Sequence, residues 1–597
     1  MDRYPMKWEL DTIYPGGSGS QAFAGELDAM AGDVRALEQS LRGADRADAA
    51  GIAARLPEWT DAVQSILRRL REAASFTGCL QAQDMNDKAA LALADRVQNI
   101  AAAYQGALTL YDDVLLSVDD ASWRSWLGRE EVAGIAFNLD ERRQAASDKL
   151  PPEQEALAGD LAVNGYHAWG ELYNTIVSKA VFRMQDPDTG EEKALSAGQL
   201  HNLLSHGDRA VRQRAFAVWE EEWERHADLC AEVLNRIAGF RLKLYERRGW
   251  TSVLKEPLHM NRMSEATLDA MWTAIEEGKP KLVAYLERKA GLLGLERLDW
   301  YDVEAPLESA SAKVGYDEAA DFIVDRFRSF SPAMADFSLK AFREAWIEAE
   351  DRPGKRPGGF CTSFPKSGQT RIFMTYSGTP SNVSTLAHEL GHAYHQEVVN
   401  DLPPLSQEYA MNVAETASTL AELIVSDSAI KASKSDKEKL ALIEEKIQNS
   451  VAFFMNIHAR FLFETRFYEK RRQGLVDASA LRELMEEAQR EAFSGALGKL
   501  HPHFWASKLH FYLTDVPFYN FPYTFGYLFS CGIYARAMEE GPSFADSYVA
   551  LLRDTGRLTV EQLAEKHLGV RLDEPAFWRH AVALTVRDID AFLAMTE

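Results

Sequence analysis

Residues 385–395 read TLAHELGHAYH, and the rest of the chain is best understood from this stretch. In a helix, residues four apart share a face, so the imidazoles of His388 and His392 can reach one metal ion. The carboxylate of Glu389 lies one step round the helix, where it can reach a water at that ion. This is the H-E-x-x-H arrangement of a zinc site, with two ligands and a general base. Histidine is scarce, with 14 in 597 residues, which makes a chance match uncommon.

The residues around the motif predict a helix. Asn382 or Ser384 can cap its start, because short polar side chains accept hydrogen bonds from the first free backbone N–H groups. Val383, Leu386 and Leu390 recur at helical spacing and supply an apolar face. We therefore expect both histidines on a helix whose opposite side packs against a core.

The third ligand must come from outside this helix. His395 shares the face of the two histidines but is seven residues beyond His388, about 10 Å along the axis of a straight helix. The extended metzincin pattern is also absent, since it needs Gly at position 395 and His at 398, where this chain has His395 and Val398. A carboxylate on a following helix remains.

Residues 407–429 are predicted to form that helix, with Glu408, Glu415 and Glu422 at seven-residue spacing on nearly one face. A stripe of carboxylates is normally a solvated face. The segment 413–420, VAETASTL, is too small and apolar for that, so a carboxylate within it needs a partner. Periodicity favours Glu415 only slightly over the other two.

Several motifs together resemble one peptidase family. Residues 385–395, followed by VAETASTLAE at 413–422, are similar to the oligoendopeptidase F branch of the thimet/neurolysin-type zinc oligopeptidases. One departure is Asn382, where many relatives carry Asp before the zinc helix. The likeness spans the chain, and its further motifs are WELDTIYPG (8–16), GGFCTSF (358–364), RIFMTYSGT (371–379), HFYLTDVPFYNFPYTFG (510–526) and HLGVRLDEPAFW (567–578).

The resemblance implies a ligand set and a cofactor. It assigns the third ligand of one Zn²⁺ per chain to Glu415, with His388 and His392 as the other two. Glu422 matches a second Glu of the same motif, which could orient a ligand histidine. Glu389 would then take the proton of the attacking water and pass it to the leaving amine.

The resemblance also implies residues that contact the substrate. Tyr512 and Tyr519 would donate hydrogen bonds to the oxyanion, with His510 as a further contact. The alternative is packing, because the segment around them is rich in aromatic residues.

Residues 371–378, including Tyr376, are interpreted as an edge strand that pairs with extended peptide. The alternative is simply a small sheet. Gly358 and Gly359 would let the backbone approach substrate closely, although a turn alone would also explain them.

The composition is that of a large globular protein, with 46% hydrophobic and 26% charged residues. A net charge of −24 argues against nucleic acid and anionic membranes as partners and favours basic or neutral peptides. Four scattered cysteines (Cys79, Cys230, Cys361, Cys531) form no C-x-x-C pair, so neither a disulfide framework nor a cysteine metal site is expected. No apolar run is long enough to span a bilayer, and we predict a cytoplasmic protein.

The periodicity is overwhelmingly helical. Residues 20–42, 46–75, 80–115 and 122–146 predict long helices, with strands limited to 173–186 and 371–378 and a Gly/Pro-rich loop at 351–370. We divide the chain into an N-terminal helical domain (1–200) and a catalytic domain (201–597). The expected fold is mostly α, with a small β-sheet beside the zinc helix. The resemblance adds a two-part ellipsoid with a deep substrate channel.

Hydrolysis of internal bonds in short peptides is the function that these patterns favour. A zinc carboxypeptidase or dipeptidase on the same scaffold is the nearest alternative, and it would capture a peptide's C-terminal carboxylate. A non-catalytic peptide-binding protein is a third possibility, against which the intact Glu389 argues.

Overall fold

A computed structural model describes residues 3–187, 189–307 and 313–597. The mostly helical fold predicted from the sequence is confirmed. Its α-helices in the described residues are α1 (Gln21–Arg42), α2 (Ala49–Gln83), α3 (Lys88–Ser117), α4 (Asp120–Leu127), α5 (Ala136–Ser147), α6 (Pro152–Ala162), α7 (Ala168–Lys179), α8 (Ala197–Leu203), α9 (Arg209–Arg247), α10 (Lys255–Met260), α11 (Glu265–Leu292), α12 (Tyr316–Phe330), α13 (Pro332–Arg343), α14 (Pro380–Val399), α15 (Met411–Ala432), α16 (Asp436–Val451), α17 (Ile457–Arg471), α18 (Ala478–Ala492), α19 (Phe504–Ser507), α20 (Phe521–Glu540), α21 (Phe544–Asp554), α22 (Val560–Leu568) and α23 (Pro575–Met595).

Short strands complete the secondary structure. They are β1 (Phe182–Gln185), β2 (Glu192–Leu195), β3 (Ile347–Glu348), β4 (Phe360–Phe364) and β5 (Gln369–Phe373). β1 and β2 form an antiparallel hairpin. The other three form one sheet in the order β3-β5-β4, with β5 parallel to β3 and antiparallel to β4.

The chain divides into two compact units, each assembled from three segments. The predicted boundary near residue 200 lies inside the second unit, so the units do not follow that division. Helical periodicity reports only local structure, whereas a compact unit is built by contacts between distant segments. Unit 1 comprises Met1–Pro152, Ala312–Ser428 and Arg536–Gly569, and unit 2 comprises Glu153–Ser311, Ala429–Ala535 and Val570–Glu597.

The core of unit 1 joins the N-terminal helices to the small sheet. α1, α2 and α3 pack together around buried aromatic residues that include Phe23, Trp59 and Tyr111. Phe364 of β4 and Phe373 of β5 belong to the same cluster. Large aromatic side chains bury about 150–250 Å² each, so this shared core holds the sheet against the helices.

A buried carboxylate fixes the turn between β4 and β5. Glu72 of α2 accepts hydrogen bonds from the backbone N–H groups of Lys366 at 2.7 Å and Ser367 at 2.9 Å. Because α2 supplies the acceptor, the position of the hairpin is tied to the N-terminal helices.

Unit 2 is built around long helices. α11 packs along α23, α16 also contacts α23, and α17 packs against α18. The 39-residue α9 carries Trp219, whose ring stacks on Phe182 of β1 with centroids 5.1 Å apart.

Two local predictions were wrong in part, one of a strand and one of a loop. Residues 173–179 belong to helix α7, and only 182–185 of the predicted 173–186 form a strand. Tyr173 and Ile176 are buried three residues apart, which is helical spacing despite the β-branched residues around them. Residues 360–364 of the predicted loop form strand β4.

Two further expectations concern the cysteines and membranes. The four cysteines are free thiols, as the sequence predicted. Among the described residues, none of the helices combines the length and the apolar character that crossing a membrane requires.

Helices α14 and α15 approach each other closely at Gly391. A Cβ atom built on Gly391 would lie 2.5 Å from the carbonyl oxygen of Ala417 and 2.6 Å from Cα of Ser418. Both atoms belong to the backbone of α15, so a side chain at Gly391 could be accommodated only by moving one helix. The separation of the two helices therefore depends on glycine at this position.

We expect Gly391→Ala to destabilise the protein by about 1–3 kcal/mol, the usual cost of overpacking a core. Gly32→Ala is the matched control, because Gly32 lies within α1 and its Cβ would meet no atom within 4 Å. That change should raise stability by up to about 1 kcal/mol through helix propensity. Thermal unfolding of both variants checks this, and equal midpoints would contradict the packing argument.

Candidate metal centre

The loop before α14 is held by Asn382 and Thr379. Thr379 is the N-cap, its side chain accepts from the N–H of Asn382, and Pro380 occupies the first turn. The Asn382 side-chain oxygen accepts from the backbone N–H of Ser377 at 2.8 Å. The cap predicted at Asn382 or Ser384 was therefore wrong by a few residues. Asn382 instead closes a capping box with Thr379.

His388, His392 and Glu415 converge on one point. Oε2 of Glu415 lies 3.3 Å from Nε2 of His388 and 3.4 Å from Nε2 of His392. These are the residues of the described chain whose ligand atoms could share a metal ion. A tetrahedral ion with bonds near 2.0–2.1 Å spaces its ligand atoms about 3.3–3.4 Å apart. The donor set and its spacing therefore fit Zn²⁺.

Two side chains orient these ligands. Oε2 of Glu422 lies 3.2 Å from Nδ1 of His388 and can accept its proton as a hydrogen bond. With the proton on Nδ1, the lone pair of Nε2 is free to bind a metal ion on the side of Glu415. The hydroxyl of Ser418 donates to Oε2 of Glu415 at 2.8 Å. Both contacts come from α15.

The electrostatics of this cluster favour a positive charge. Burial would lower the pKa of His388, but the hydrogen bonds that its protonated ring donates to Glu415 and Glu422 outweigh burial and raise the pKa to about 10. Burial would raise the pKa of Glu415, and the two histidines instead hold it well below its usual range. A cation placed between these groups would replace the proton that otherwise holds them together.

The alternative ligands lie elsewhere. Glu408 is exposed and precedes α15, which begins at Met411, so it is not on the helical face that the sequence predicted. The ring of His395 stacks on Tyr409, and its Nε2 lies 2.9 Å from the hydroxyl of Thr555. Among the three carboxylates that periodicity left open, Glu415 is the one beside both histidines.

Glu389 is buried beside the cluster, with 7% of its surface exposed. Its Oε2 has no hydrogen-bond partner in the described residues. Burial raises the pKa of Glu389, and the charges of His392 and His388 partly offset this. A buried carboxylate oxygen without a partner is costly, so it marks a position where water or substrate can bind.

A cavity of about 470 Å³ opens on these side chains. Besides the α14 residues, which include Gln396, and Glu415 of α15, it is lined by residues 359–363 at β4, by Arg71 of α2 and by Tyr409. A Cβ on Gly359 would lie 3.6 Å from Oε1 of Glu389, and Gly358 has φ +94°. The start of β4 therefore lies within contact distance of Glu389 at Gly359, whereas the positive φ of Gly358 is the backbone conformation of a glycine turn.

β4, and not the predicted segment 371–378, is the strand at the cavity. β5 lies between β3 and β4, so it cannot be an edge, and the prediction was wrong on this point. In the described residues β4 has a partner strand on one side only. The sequence did not predict strand β4 because its five residues lie within a Gly/Pro-rich segment, which is typical of a loop.

Tyr376, predicted to bind substrate, is buried and its hydroxyl donates to the carbonyl of Val314 at 3.0 Å. It is not among the residues that line the described cavity. Its contacts are those of a packing residue.

The three remaining candidates lie in unit 2. The rings of His510 and Tyr519 stack with centroids 5.1 Å apart, and Tyr523 contacts both. Burial lowers the pKa of His510 to about 3, so this imidazole is neutral at physiological pH. Tyr512 is separate and only 1% exposed, stacks on Tyr173 at 3.7 Å and donates to the carbonyl of Trp505 at 3.1 Å.

Some residues of the site were not predicted. Ser418 lies in the quoted 413–422 motif, three residues after Glu415, and that spacing on a helix was an available signal. Arg71 is more than 300 positions before the zinc motif, and no local pattern connects the two.

Comparison with known proteins gives the family. The model of "Peptidase family M3" matches residues 202–583, and that of "Oligopeptidase F" matches residues 115–182. The first match alone covers more than half of the chain.

Curated relatives carry consistent names. An oligoendopeptidase F homolog of Lactococcus lactis is 23% identical over 532 residues, covering 87% of this chain and 86% of the relative. The group B oligopeptidase PepB of Streptococcus agalactiae is 24% identical over 511 residues, covering 83% of each. Oligopeptidase PepF of Bacillus subtilis is 22% identical and covers 92% of this chain and 81% of the relative.

Solved structures share the fold. A crystal structure from Chlamydophila abortus matches with a TM-score of 0.85 at 18% identity, covering 99% of this chain and 98% of that one. Oligoendopeptidase-F from Enterococcus faecium matches with a TM-score of 0.72 at 17% identity, covering 96% and 99%. With the family match across residues 202–583, these likenesses lead to one conclusion: the chain is a peptidase that belongs to family M3, in its oligopeptidase F branch.

Proposed function

We propose that the chain is a zinc-dependent endopeptidase that cleaves internal bonds of short, unstructured peptides. The observation that carries this proposal is the convergence of His388, His392 and Glu415 beside the unpartnered carboxylate oxygen of Glu389. All four side chains line one cavity with an edge strand. The family match and the names of the relatives support the same activity.

His388, His392 and Glu415 would hold one Zn²⁺ per chain. When bound, the ion would supply Lewis acidity, polarising the peptide carbonyl and making water acidic enough to deprotonate near neutral pH. Glu422 and Ser418 keep the ligands in place by fixing one nitrogen of His388 and one oxygen of Glu415.

Glu389 would move the protons. Its carboxylate would accept a proton from the attacking water and then donate it to the leaving amine. The raised pKa of Glu389 suits this exchange, because a more basic carboxylate accepts the proton more readily.

We assign the oxyanion contact to Tyr519 and His510 in preference to Tyr512. Tyr519 is half-buried and next to a neutral imidazole, whereas the hydroxyl of Tyr512 is already engaged with Trp505. The role of all three stays a proposal.

The substrate would bind by backbone pairing with β4. Main-chain hydrogen bonds to an edge strand depend little on side chains, so broad specificity is expected. The net charge of −24 opposes nucleic acid as a partner, and a cytoplasmic location remains part of the proposal.

For the proposed function, the first prediction compares the Zn²⁺ affinity of variants at Glu415, Glu422 and Glu408. Glu415→Ala should abolish stoichiometric Zn²⁺ binding, because it removes a ligand. Glu422→Ala should weaken binding by about 10–100-fold, because it removes only the partner of His388. The exposed Glu408→Ala is the control and should bind normally. Zn²⁺ titration with a competing chelator measures the affinity of each variant. A loss of Zn²⁺ binding in Glu408→Ala would contradict the assignment.

The second prediction separates metal binding from chemistry. Glu389→Gln keeps the side-chain shape but cannot accept a proton, so Zn²⁺ content should be unchanged while kcat falls by at least about 10²-fold. Metal analysis and peptide turnover on the same preparation test this. A kcat near that of the wild type would show that a residue other than Glu389 is the general base.

The third prediction concerns the substrate. Peptides of about 5–20 residues span about 17–70 Å when extended and can lie along β4 across the site. They should be cut internally even with both termini blocked, while folded proteins stay intact. Mass spectrometry of a peptide ladder, with a folded and an unfolded protein alongside, measures this. Failure on blocked peptides would indicate an exopeptidase.

A further inference from the structure

The cavity contains a cationic side chain that the proposed chemistry does not use. Arg71 of α2 lines it, together with β4 and the α14 residues. Apart from the two histidines, it is the basic residue in that lining. The acidic side chains there, Glu389 and Glu415, already have roles at the metal centre.

The guanidinium of Arg71 is weakly engaged. It donates to Oε1 of Gln407 at 3.5 Å and to the hydroxyl of Ser363 at 3.4 Å, both at the outer limit for a hydrogen bond. Within the described residues no carboxylate lies at ion-pair distance from it. Arg69, two residues earlier, shows the usual arrangement, with an ion pair to Glu26 at 2.6 Å. Arg71 thus has donors available for a ligand.

Arg71 lies at a defined distance from the proposed site of cleavage. Its contact Ser363 is four residues along β4 from Gly359, whose Cβ would lie 3.6 Å from Glu389. At about 3.3 Å per residue these two strand positions are about 13 Å apart. An extended peptide beside β4 would therefore reach Arg71 three or four residues from the bond being cut.

We propose that Arg71 binds a carboxylate of the peptide at that position, and so makes the enzyme selective for substrates with negative charge there. The inference rests on the proposed function, because it needs peptide aligned with β4. The carboxylate is either an Asp or Glu side chain or the C-terminus of the peptide. A guanidinium recognises either one through two parallel hydrogen bonds.

This selectivity differs from what the net charge alone suggests. A chain of charge −24 should favour basic or neutral peptides. At physiological ionic strength, however, exposed charges are screened beyond about 8 Å. The cation in direct reach of the substrate therefore decides the preference at its own position.

Kinetics on matched peptides test the role of Arg71. One series places Glu or Gln at each position up to four residues on either side of the cleaved bond, and a second compares free with amidated C-termini. For one position, or for the free terminus, the wild type should show a KM at least about tenfold lower than for the neutral partner, as charge-assisted binding implies. Arg71→Met should remove that difference with little change in kcat.

Two other variants guard against a purely structural effect. Arg68→Met is the matched control, because Arg68 is an exposed residue of the same helix, and its profile should equal the wild type. Arg71→Glu should reverse the preference towards Lys at the same position. A uniform rise in KM for charged and neutral peptides alike would overturn the proposal.

Binding to the Glu389→Gln protein separates this inference from the proposed function. Fluorescent Glu and Gln peptides should bind this variant with the same tenfold difference, and adding Arg71→Met should abolish it. Peptides bound selectively but never cut by the wild type would remove the endopeptidase function and leave the role of Arg71 standing. Equal binding of both peptides would exclude a carboxylate site at Arg71.

Discussion

The contact between α14 and α15 at Gly391 is the constraint on which the metal centre depends. One helix carries His388 and His392, and the other carries Glu415, so the distance between their axes sets the distance between the ligands. With backbone atoms of α15 only 2.5–2.6 Å from where a Cβ would be, the helices are as close as glycine permits. Any larger residue at this position would push the two helices apart and so move the carboxylate of Glu415 away from the two imidazoles.

That geometry concentrates negative charge, which the surrounding fold must balance. Glu389, Glu415 and Glu422 all lie close to His388; burial raises the pKa of Glu389, while the two histidines hold the pKa of Glu415 well below its usual range. Bringing such groups together without a cation costs free energy, because burial penalises every uncompensated charge. We therefore expect that a metal ion, when bound, would contribute much of the stability of α15 in this position, as at other sites where metal binding and folding are coupled.

The sequence was informative where chemistry is local. The H-E-x-x-H spacing predicted the helix and both histidines, and the helical character of the chain was confirmed. It could not separate Glu415 from Glu408, because the start of α15 at Met411 depends on a turn that periodicity does not report. β4 and Arg71 were missed for a related reason. Their positions follow from packing between α2 and a segment nearly 300 residues later, and only the folded chain brings these together.

Under the proposed function, pairing of the substrate with β4 would also limit what the site can attack. A five-residue strand offers about two or three outward-facing hydrogen bonds, each contributing about 0.5–1.5 kcal/mol net. A folded protein must first release an extended segment, which can cost up to its full stability of about 5–15 kcal/mol. Pairing with β4 cannot offset that cost, whereas a short unstructured peptide avoids most of it. The energetics of a short edge strand would thus favour small peptides before any steric barrier is considered.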